Sequence, residues 1–271
     1  MDGEAGGTVA DTVCDGYGPA EPEAPQQSRW VPLMGADNTR DLGGLPVSGG
    51  GTTRRGVVFR SSTLQAVTDA DVEFLVDGLG LRTVVDLRGP EESAREGHGL
   101  LTATRVRREH LPVRLPQGRA TEVVPDGPDG GAVDFYFRLL GSSADTLTAT
   151  ARIVADPDQH AVLFHCAIGK DRTGVCAAVL LDAVGVAAEV IAVDYELTAQ
   201  RIARVRDRLL AVGGYHSIPD VGHTYMASRA ETMHDFLARL HADHGGGAGW
   251  LLRSGLTEGE LDLLRATLVA P

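Results

Sequence analysis

The sequence has few cysteines and no long hydrophobic run. No apolar stretch approaches the roughly 20 residues that a membrane-spanning helix requires, and no basic flank with an apolar stretch marks the N-terminus as a secretion signal. The 3 cysteines include no CxxC pair, which is typical of a reducing compartment rather than of a disulfide framework. These absences predict a soluble, cytoplasmic protein without stable membrane insertion. They do not address export by a route without a recognisable signal.

Positive charge is also scarce, because 25 Lys and Arg residues stand against 37 Asp and Glu residues, for a formal net charge of -12. A field of this sign repels nucleic acid and anionic membranes, so nucleic acid is not an expected partner. An anionic ligand must therefore be held by local cations in a pocket. The 271 residues, 43% of them apolar, are enough to build a buried core.

Composition divides the chain near residue 29. Residues 1–28 are rich in Gly, Pro, Ala and acidic residues, which predicts a disordered N-terminal tail because such a segment buries too little apolar surface to offset its ordering entropy. Residues 29–271 alternate short β-branched runs with runs of helical period, which predicts one α/β domain. Within that domain the Gly/Pro-rich segment 116–131 is the longest predicted loop.

The predicted domain contains a central, mostly parallel sheet flanked by helices, and its C-terminal half is helical. Its strands are apolar on both faces, as in a sheet that is covered on both sides. The strands are predicted at 56–59, 83–87 and 161–165. The helices are predicted at 68–78, 134–140, 145–156, 173–185, 187–212, 226–244 and 257–269.

The ten residues from His165 to Gly174, HCAIGKDRTG, lie between the third predicted strand and a predicted helix. A cysteine at the end of a buried strand, followed by a short turn into a helix, faces backbone N–H groups and the positive helix end. Because those groups stabilise an anion, they favour the thiolate, and Cys166 is the candidate nucleophile. Arg172 adds a planar fork that binds two phosphate oxygens.

The other residues of this stretch have candidate supporting roles. Gly169 permits the tight turn, His165 is expected to fix the loop through its ring nitrogens, and Thr173 is expected to donate a hydrogen bond to the cysteine sulfur. The alternative is a plain strand-to-helix turn with a buried cysteine and a solvated charged cluster, but the combination of His, Gly and Thr-Gly favours catalysis. The predicted phosphate-binding loop comprises Ala167, Ile168, Gly169, Lys170, Asp171 and Arg172.

This stretch resembles the loop HCxxGKDRTG of the bacterial branch of cysteine-dependent tyrosine and lipid phosphatases, which has mycobacterial and listerial members. NTRDLGG (38–44) resembles the N-terminal motif of that family. FRSSTL (59–64) and VVDLRGPEE (84–92) resemble its second and third strands, and DYELT (194–198) follows the loop. The resemblance implies a cysteine-phosphatase-like fold over about residues 30–200.

The resemblance also implies a two-step phosphoryl transfer without a metal or cofactor. Cys166 attacks phosphorus, Arg172 and the loop amides hold the equatorial oxygens, and water hydrolyses the phosphocysteine. The expected substrates are phosphotyrosine proteins, extending to phosphoserine, phosphothreonine and phosphoinositides. Two alternatives are a catalytically weak module that binds phosphorylated partners and a sulfur-transfer or arsenate-reducing enzyme. The presence of both Cys166 and Arg172 disfavours the binding module.

The general acid has several candidates, because the sequence lacks the Trp-Pro-Asp loop that supplies it in many tyrosine phosphatases. The resembled branch carries an aspartate inside the loop, so Asp171 is the first candidate. Asp86, at the end of a predicted parallel strand, is the second. Asp126 and Asp129 in the long loop are further alternatives.

Two features bear on substrate access. Lys170 suits a substrate that carries additional phosphates, although a solvent-facing lysine is an equal alternative. In the mycobacterial relative a pair of helices after the loop covers the site, so residues 197–235 are a candidate helical lid.

Overall fold

The computed structural model describes residues 28–114, 130–213, 215 and 218–271. The predicted tail therefore lies outside the described residues, apart from Ser28. Most of the predicted loop 116–131 also lies outside them, together with Asp126 and Asp129.

A central sheet organises the described residues. Its strand order is β1-β3-β6-β4-β5; β1 pairs with β3 in antiparallel orientation, and the other neighbours are parallel. A second, antiparallel pair joins β2 to β7. The mostly parallel sheet is therefore confirmed. The strands are β1 (Arg40–Asp41), β2 (Thr52–Thr53), β3 (Val58–Ser61), β4 (Thr83–Asp86), β5 (Arg107–His110), β6 (Val162–His165) and β7 (Val269–Ala270).

Strand β6 shows why the sheet is apolar on both faces. Val162 and Phe164 are fully buried in one core cluster with Val85, whereas Leu163 is fully buried in a second cluster with Val84. Successive side chains of a strand point to opposite faces, so both faces of the sheet must be covered. Each such burial contributes about 2 kcal/mol to folding.

Helices cover these faces and fill the C-terminal half, as predicted. Thr68 and Thr257 cap the first and last helices through capping boxes with the acidic residue three positions later. The helices are α1 (Asp69–Glu73), α2 (Pro90–Glu96), α3 (Gly130–Ser142), α4 (Ala144–Ala155), α5 (Asp171–Ala183), α6 (Ala188–Glu196), α7 (Ile202–Ala211), α8 (Ala230–His244), α9 (Gly246–Arg253) and α10 (Glu258–Leu268). A π-helical turn (Phe74–Gly78) follows α1, and 3-10 turns occur at Gly99–Ala103, Pro157–Gln159, Leu197–Gln200 and Thr224–Met226.

Three helical predictions need correction, the first being that α2 (Pro90–Glu96) was not predicted. The predicted helix 187–212 is divided into α6 and α7 by the 3-10 turn Leu197–Gln200. Helix α9 was not predicted, because its glycine-rich sequence has low helical propensity. Gly245, with φ +68°, ends α8, and Gly247 lies so close to α5 that a Cβ would approach the Val179 carbonyl oxygen to 2.4 Å. Close packing against α5 therefore outweighs propensity.

The register of the sheet gathers polar residues at one edge. Ser61 at the end of β3 and Asp86 at the end of β4 both pair with His165 at the end of β6. The carboxyl ends of parallel strands are where open α/β sheets form their ligand sites. The candidate loop begins at this edge. Among the described residues, no helix is long and apolar enough to cross a membrane.

Candidate active site

The loop between β6 and α5 surrounds the sulfur of Cys166. This residue is 2% exposed, and the Gly169 N–H donates a hydrogen bond to its Sγ over 3.3 Å. Helix α5 begins at Asp171, so its N-terminal end lies at the same loop. The predicted turn from strand to helix is therefore present, with an amide directed at the sulfur as an anion-binding loop requires.

Gly169 is required by the turn itself. Its φ is +77°, and a Cβ at this position would lie 2.5 Å from the Ser61 carbonyl oxygen of β3. Only glycine adopts this backbone conformation without strain and also fits the space. The side of the loop that faces β3 is therefore in direct backbone contact with the sheet.

Outward-facing carbonyl groups of the loop are bound by residues of the N-terminal segment. Asn38 Nδ2 donates to the carbonyl oxygens of Ile168 and Gly169 over 3.3 and 3.2 Å. Arg60 Nη2 donates to the Gly169 oxygen over 2.8 Å, and the Thr63 N–H donates to the Ala167 oxygen over 2.9 Å. These contacts explain how the 38–44 and 59–64 stretches act on the loop.

A buried ion-pair cluster around Asp194 holds these residues in place. Its Oδ2 lies 2.8 Å from Arg60 Nη1, and its Oδ1 lies 3.1 Å from Arg40 Nε and 2.7 Å from Arg29 Nη1. Burial alone would raise the pKa of Asp194, but the arginines lower it below its ordinary range. The aspartate of the DYELT stretch therefore anchors the loop through Arg60.

The guanidinium of Arg172 is held by Glu92, a residue that the sequence analysis did not single out. Their atoms form a bidentate pair, with Nη1 2.5 Å from Oε2 and Nη2 2.9 Å from Oε1. Tyr215 also donates its hydroxyl proton to Glu92 Oε1 over 2.6 Å. Burial raises the pKa of Glu92, but the opposite effect of Arg172 is larger, and the pKa falls to about 2. The fork is therefore oriented by a carboxylate that stays ionised at neutral pH.

Asp171 and Lys170 form a second buried ion pair in the loop. Lys170 Nζ lies 2.9 Å from Asp171 Oδ1, and the Tyr136 hydroxyl donates to the same oxygen over 2.8 Å. Lys170 Nζ also donates to the Ala227 carbonyl over 3.3 Å and lies 5.0 Å from the centre of the Tyr225 ring. Burial lowers the pKa of Lys170, but Asp171 raises it above its ordinary value. The solvent-facing alternative for Lys170 is therefore wrong.

Asp86, the second candidate acid, is bound in a structural network. Arg88 Nε and Nη2 donate to its two oxygens over 2.9 and 2.7 Å, and Ser93 Oγ donates over 3.0 Å. Burial raises the pKa of Asp86, but His165 and Arg88 lower it below its ordinary range. Because both oxygens of Asp86 accept hydrogen bonds from Arg88, neither is free to give a proton to a leaving oxygen, which argues against Asp86 as the acid.

Two supporting residues have different outcomes. His165 Nδ1 lies 3.1 Å from the Cys166 carbonyl oxygen, in position to hold the loop, and burial lowers the pKa of His165. The predicted hydrogen bond from Thr173 to the sulfur is not formed. Thr173 Oγ1 is buried and has no hydrogen-bond partner among the described residues.

Cys176 is a packed thiol of the core, and burial raises its pKa to about 12.

The comparison with known proteins agrees with this geometry. The model of the tyrosine phosphatase family matches residues 31–270. The chain belongs to the tyrosine phosphatase family. Tyrosine phosphatases are phosphoric monoester hydrolases, so the predicted family and enzyme class are confirmed.

Individual relatives of this tyrosine phosphatase are distant. The tyrosine-protein phosphatase of Nostoc commune is 29% identical over 218 residues, which cover 77% of this chain and 73% of that protein. The triple specificity protein phosphatase PtpB of Mycobacterium tuberculosis is 29% identical over 217 residues, 65% of this chain and 72% of that protein. The core catalytic domain of a PP-IP phosphatase from S. cerevisiae aligns over 70% of this chain and 90% of its own, at 19% identity and a TM-score of 0.40.

Proposed function

We propose that this tyrosine phosphatase hydrolyses phosphotyrosine in proteins through a phosphocysteine intermediate on Cys166. The observation that carries the proposal is the position of Cys166 Sγ within the loop that joins β6 to α5. The Gly169 amide is directed at Sγ, and a carboxylate orients the Arg172 guanidinium at the helical end of the same loop. Nucleophile and phosphate-binding groups thus lie within a single short segment.

In the first step of the proposed reaction, the Cys166 thiolate attacks phosphorus opposite the leaving oxygen. The bond to the leaving oxygen breaks as the sulfur–phosphorus bond forms, and Asp171 gives its proton to that oxygen. Arg172 and the loop amides bind the three equatorial oxygens, where negative charge is concentrated. In the second step, water attacks phosphorus, Asp171 accepts its proton, and the thiolate is released.

The assignment of Asp171 as the acid is supported by its place in the loop and by the environment of Asp86. Asp171 is the first residue of α5 and belongs to the same loop as Cys166 and Arg172. Both oxygens of Asp86 accept hydrogen bonds from Arg88, whereas only Oδ1 of Asp171 has a partner among the described residues. Asp171 therefore takes the acid role in this proposal.

Residues 197–235 act as a lid over the loop in this proposal. Tyr215 contacts Glu92, and the ring of Tyr225 faces Lys170. Since both contacts end on charged residues of the site, movement of this segment would change the surroundings of Lys170 and Glu92 together. Additional phosphates on a substrate would compete with Ala227 for the Lys170 ammonium.

A substrate panel tests the proposed function. Phosphate release is measured on peptides carrying phosphotyrosine, phosphoserine or phosphothreonine, and on inositol lipids with one or several phosphates in vesicles of one composition. We expect phosphotyrosine peptides to have the highest kcat/KM, with unphosphorylated peptides of the same sequence as competitors that do not inhibit. Phosphopeptide binding without phosphate release would support the binding module instead. Hydrolysis confined to the lipids would contradict a protein substrate.

A further inference from the structure

Tyr136 on α3 is a buried tyrosine outside the loop that contacts the proposed acid. Its side chain is among the largest that are fully buried, with 1% of the residue exposed. Its hydroxyl donates to Asp171 Oδ1 over 2.8 Å and lies 2.5 Å from the hydroxyl of Tyr195 on α6. A buried hydroxyl pair that ends on a carboxylate of the loop has no role in the reaction described above.

The direction of the protons in this pair follows from counting donors. A tyrosine hydroxyl has one proton, and Tyr136 uses it on Asp171. Tyr195 must therefore donate its own proton to the Tyr136 oxygen. Burial and the Asp171 charge raise the pKa of Tyr136 well above its ordinary value, so Tyr136 remains a donor over the pH range of an activity assay.

Packing fixes the position of both rings. The Tyr136 ring makes edge-to-face contacts with Phe236, at 5.9 Å and 85°, and with Tyr195, at 6.3 Å and 76°. The Tyr195 ring lies against the start of α5, since a Cβ on Gly174 would be 3.1 Å from it. The hydrogen bond to Asp171 is therefore made from a rigid platform.

The two oxygens of Asp171 differ in their surroundings. Oδ1 accepts from Tyr136 and contacts the Lys170 ammonium. Oδ2 has no hydrogen-bond partner among the described residues. We infer that Tyr136, supported by Tyr195, is a positioning residue that holds Oδ1 and so presents Oδ2 to the leaving oxygen. This inference rests on the proposed function, in which Asp171 is the acid.

The variant that tests it is Tyr136→Phe, which removes the hydroxyl and keeps the ring. Its kcat/KM is measured on phenyl phosphate and on 4-nitrophenyl phosphate, because this constant reports the steps up to phosphocysteine formation. Phenolate leaves poorly without a proton, whereas 4-nitrophenolate leaves without one. We expect a loss of about tenfold on phenyl phosphate and of less than about threefold on 4-nitrophenyl phosphate. Equal losses on both substrates would overturn the inference.

A double-mutant cycle and a packing control complete the test. In an Asp171→Asn background, Tyr136→Phe should cost nothing further on phenyl phosphate, because the acid is already absent. Additive losses would contradict the positioning role. The packing control is Phe137→Leu on the same helix, whose ring packs on Phe236 and His244, and both substrates should lose activity equally. If Tyr136→Phe does not fold, as judged by thermal unfolding, Tyr195→Phe should show the same selective loss at smaller size, and equal losses there would overturn the inference.

Comparing Asp171→Asn with Tyr136→Phe separates a failure of the acid assignment from a failure of the positioning role. If Asp171→Asn itself shows no selective loss on phenyl phosphate, the assignment of the acid fails. If Asp171→Asn shows that loss and Tyr136→Phe does not, only the positioning role fails.

Discussion

Cys166→Ser is expected to abolish turnover of 4-nitrophenyl phosphate and to preserve phosphate binding. A thiol ionises far more readily than a serine hydroxyl, so serine at this position is a poor nucleophile. We expect the rate to fall by on the order of 10⁴-fold or more. The Gly169 amide and the Arg172 fork remain, so inorganic phosphate should still raise the thermal unfolding temperature of the variant.

The matched control is the other described cysteine. Cys176 lies on α5, is fully buried and belongs to the apolar core. Cys176→Ala should keep turnover and lose about 1 kcal/mol of stability, because it removes only packing. Turnover of Cys166→Ser close to that of the unmodified protein would contradict the nucleophile assignment. A loss in Cys176→Ala as large as in Cys166→Ser would show that the effect is structural.

Arg172→Lys has the second largest expected effect. Lysine keeps the charge but offers no planar fork, so it cannot bind Glu92 and two phosphate oxygens in fixed geometry. Loss of one preoriented donor to a transition state costs about 10²- to 10³-fold in kcat, and we expect a loss of this size here. Glu92→Gln keeps the fork but weakens its anchor, so its loss should be smaller, about tenfold.

An exposed Arg–Glu pair provides the control for this substitution. Arg152 on α4 contacts Glu260 on α10, with Nε 2.7 Å from Oε1 and Nη2 3.4 Å from Oε2. Arg152→Lys should leave kcat unchanged, because this pair is partly exposed and contributes little beyond local stability. An Arg172→Lys variant with unchanged kcat would contradict the role of the fork, and so would a Glu92→Gln variant that loses more activity than Arg172→Lys.

Local patterns predict the loop and three of the seven described strands, whereas β1, β2 and β7 are too short and β5 too polar to be predicted. Strands β3, β4 and β6 and the turn at Gly169 can be predicted because each is encoded by a short run of adjacent residues. The first predicted strand, 56–59, is displaced by two residues from β3, which is Val58–Ser61. The ends of a strand depend on its pairing with a neighbouring strand, and the sequence of one strand alone does not specify that pairing.

The partners of the loop residues could not be predicted, because they are distant in sequence. Glu92 is 80 positions from Arg172, Asp194 is 134 positions from Arg60, and Tyr136 is 35 positions from Asp171. The local signals for Glu92 are its place at the end of the VVDLRGPEE stretch and in the first turn of α2. Such contacts arise from the crossing of elements in the fold. Spacing along the chain does not encode them.

Trapping the phosphocysteine tests whether phosphate passes through Cys166. The enzyme is mixed with a phosphotyrosine peptide, denatured within the first turnovers and cleaved, and the fragments are analysed by mass spectrometry. We expect phosphate on the fragment that contains Cys166 and none on the same fragment of Cys166→Ser. Phosphate on any other residue, or rapid turnover in Cys166→Ser without a covalent intermediate, would contradict it.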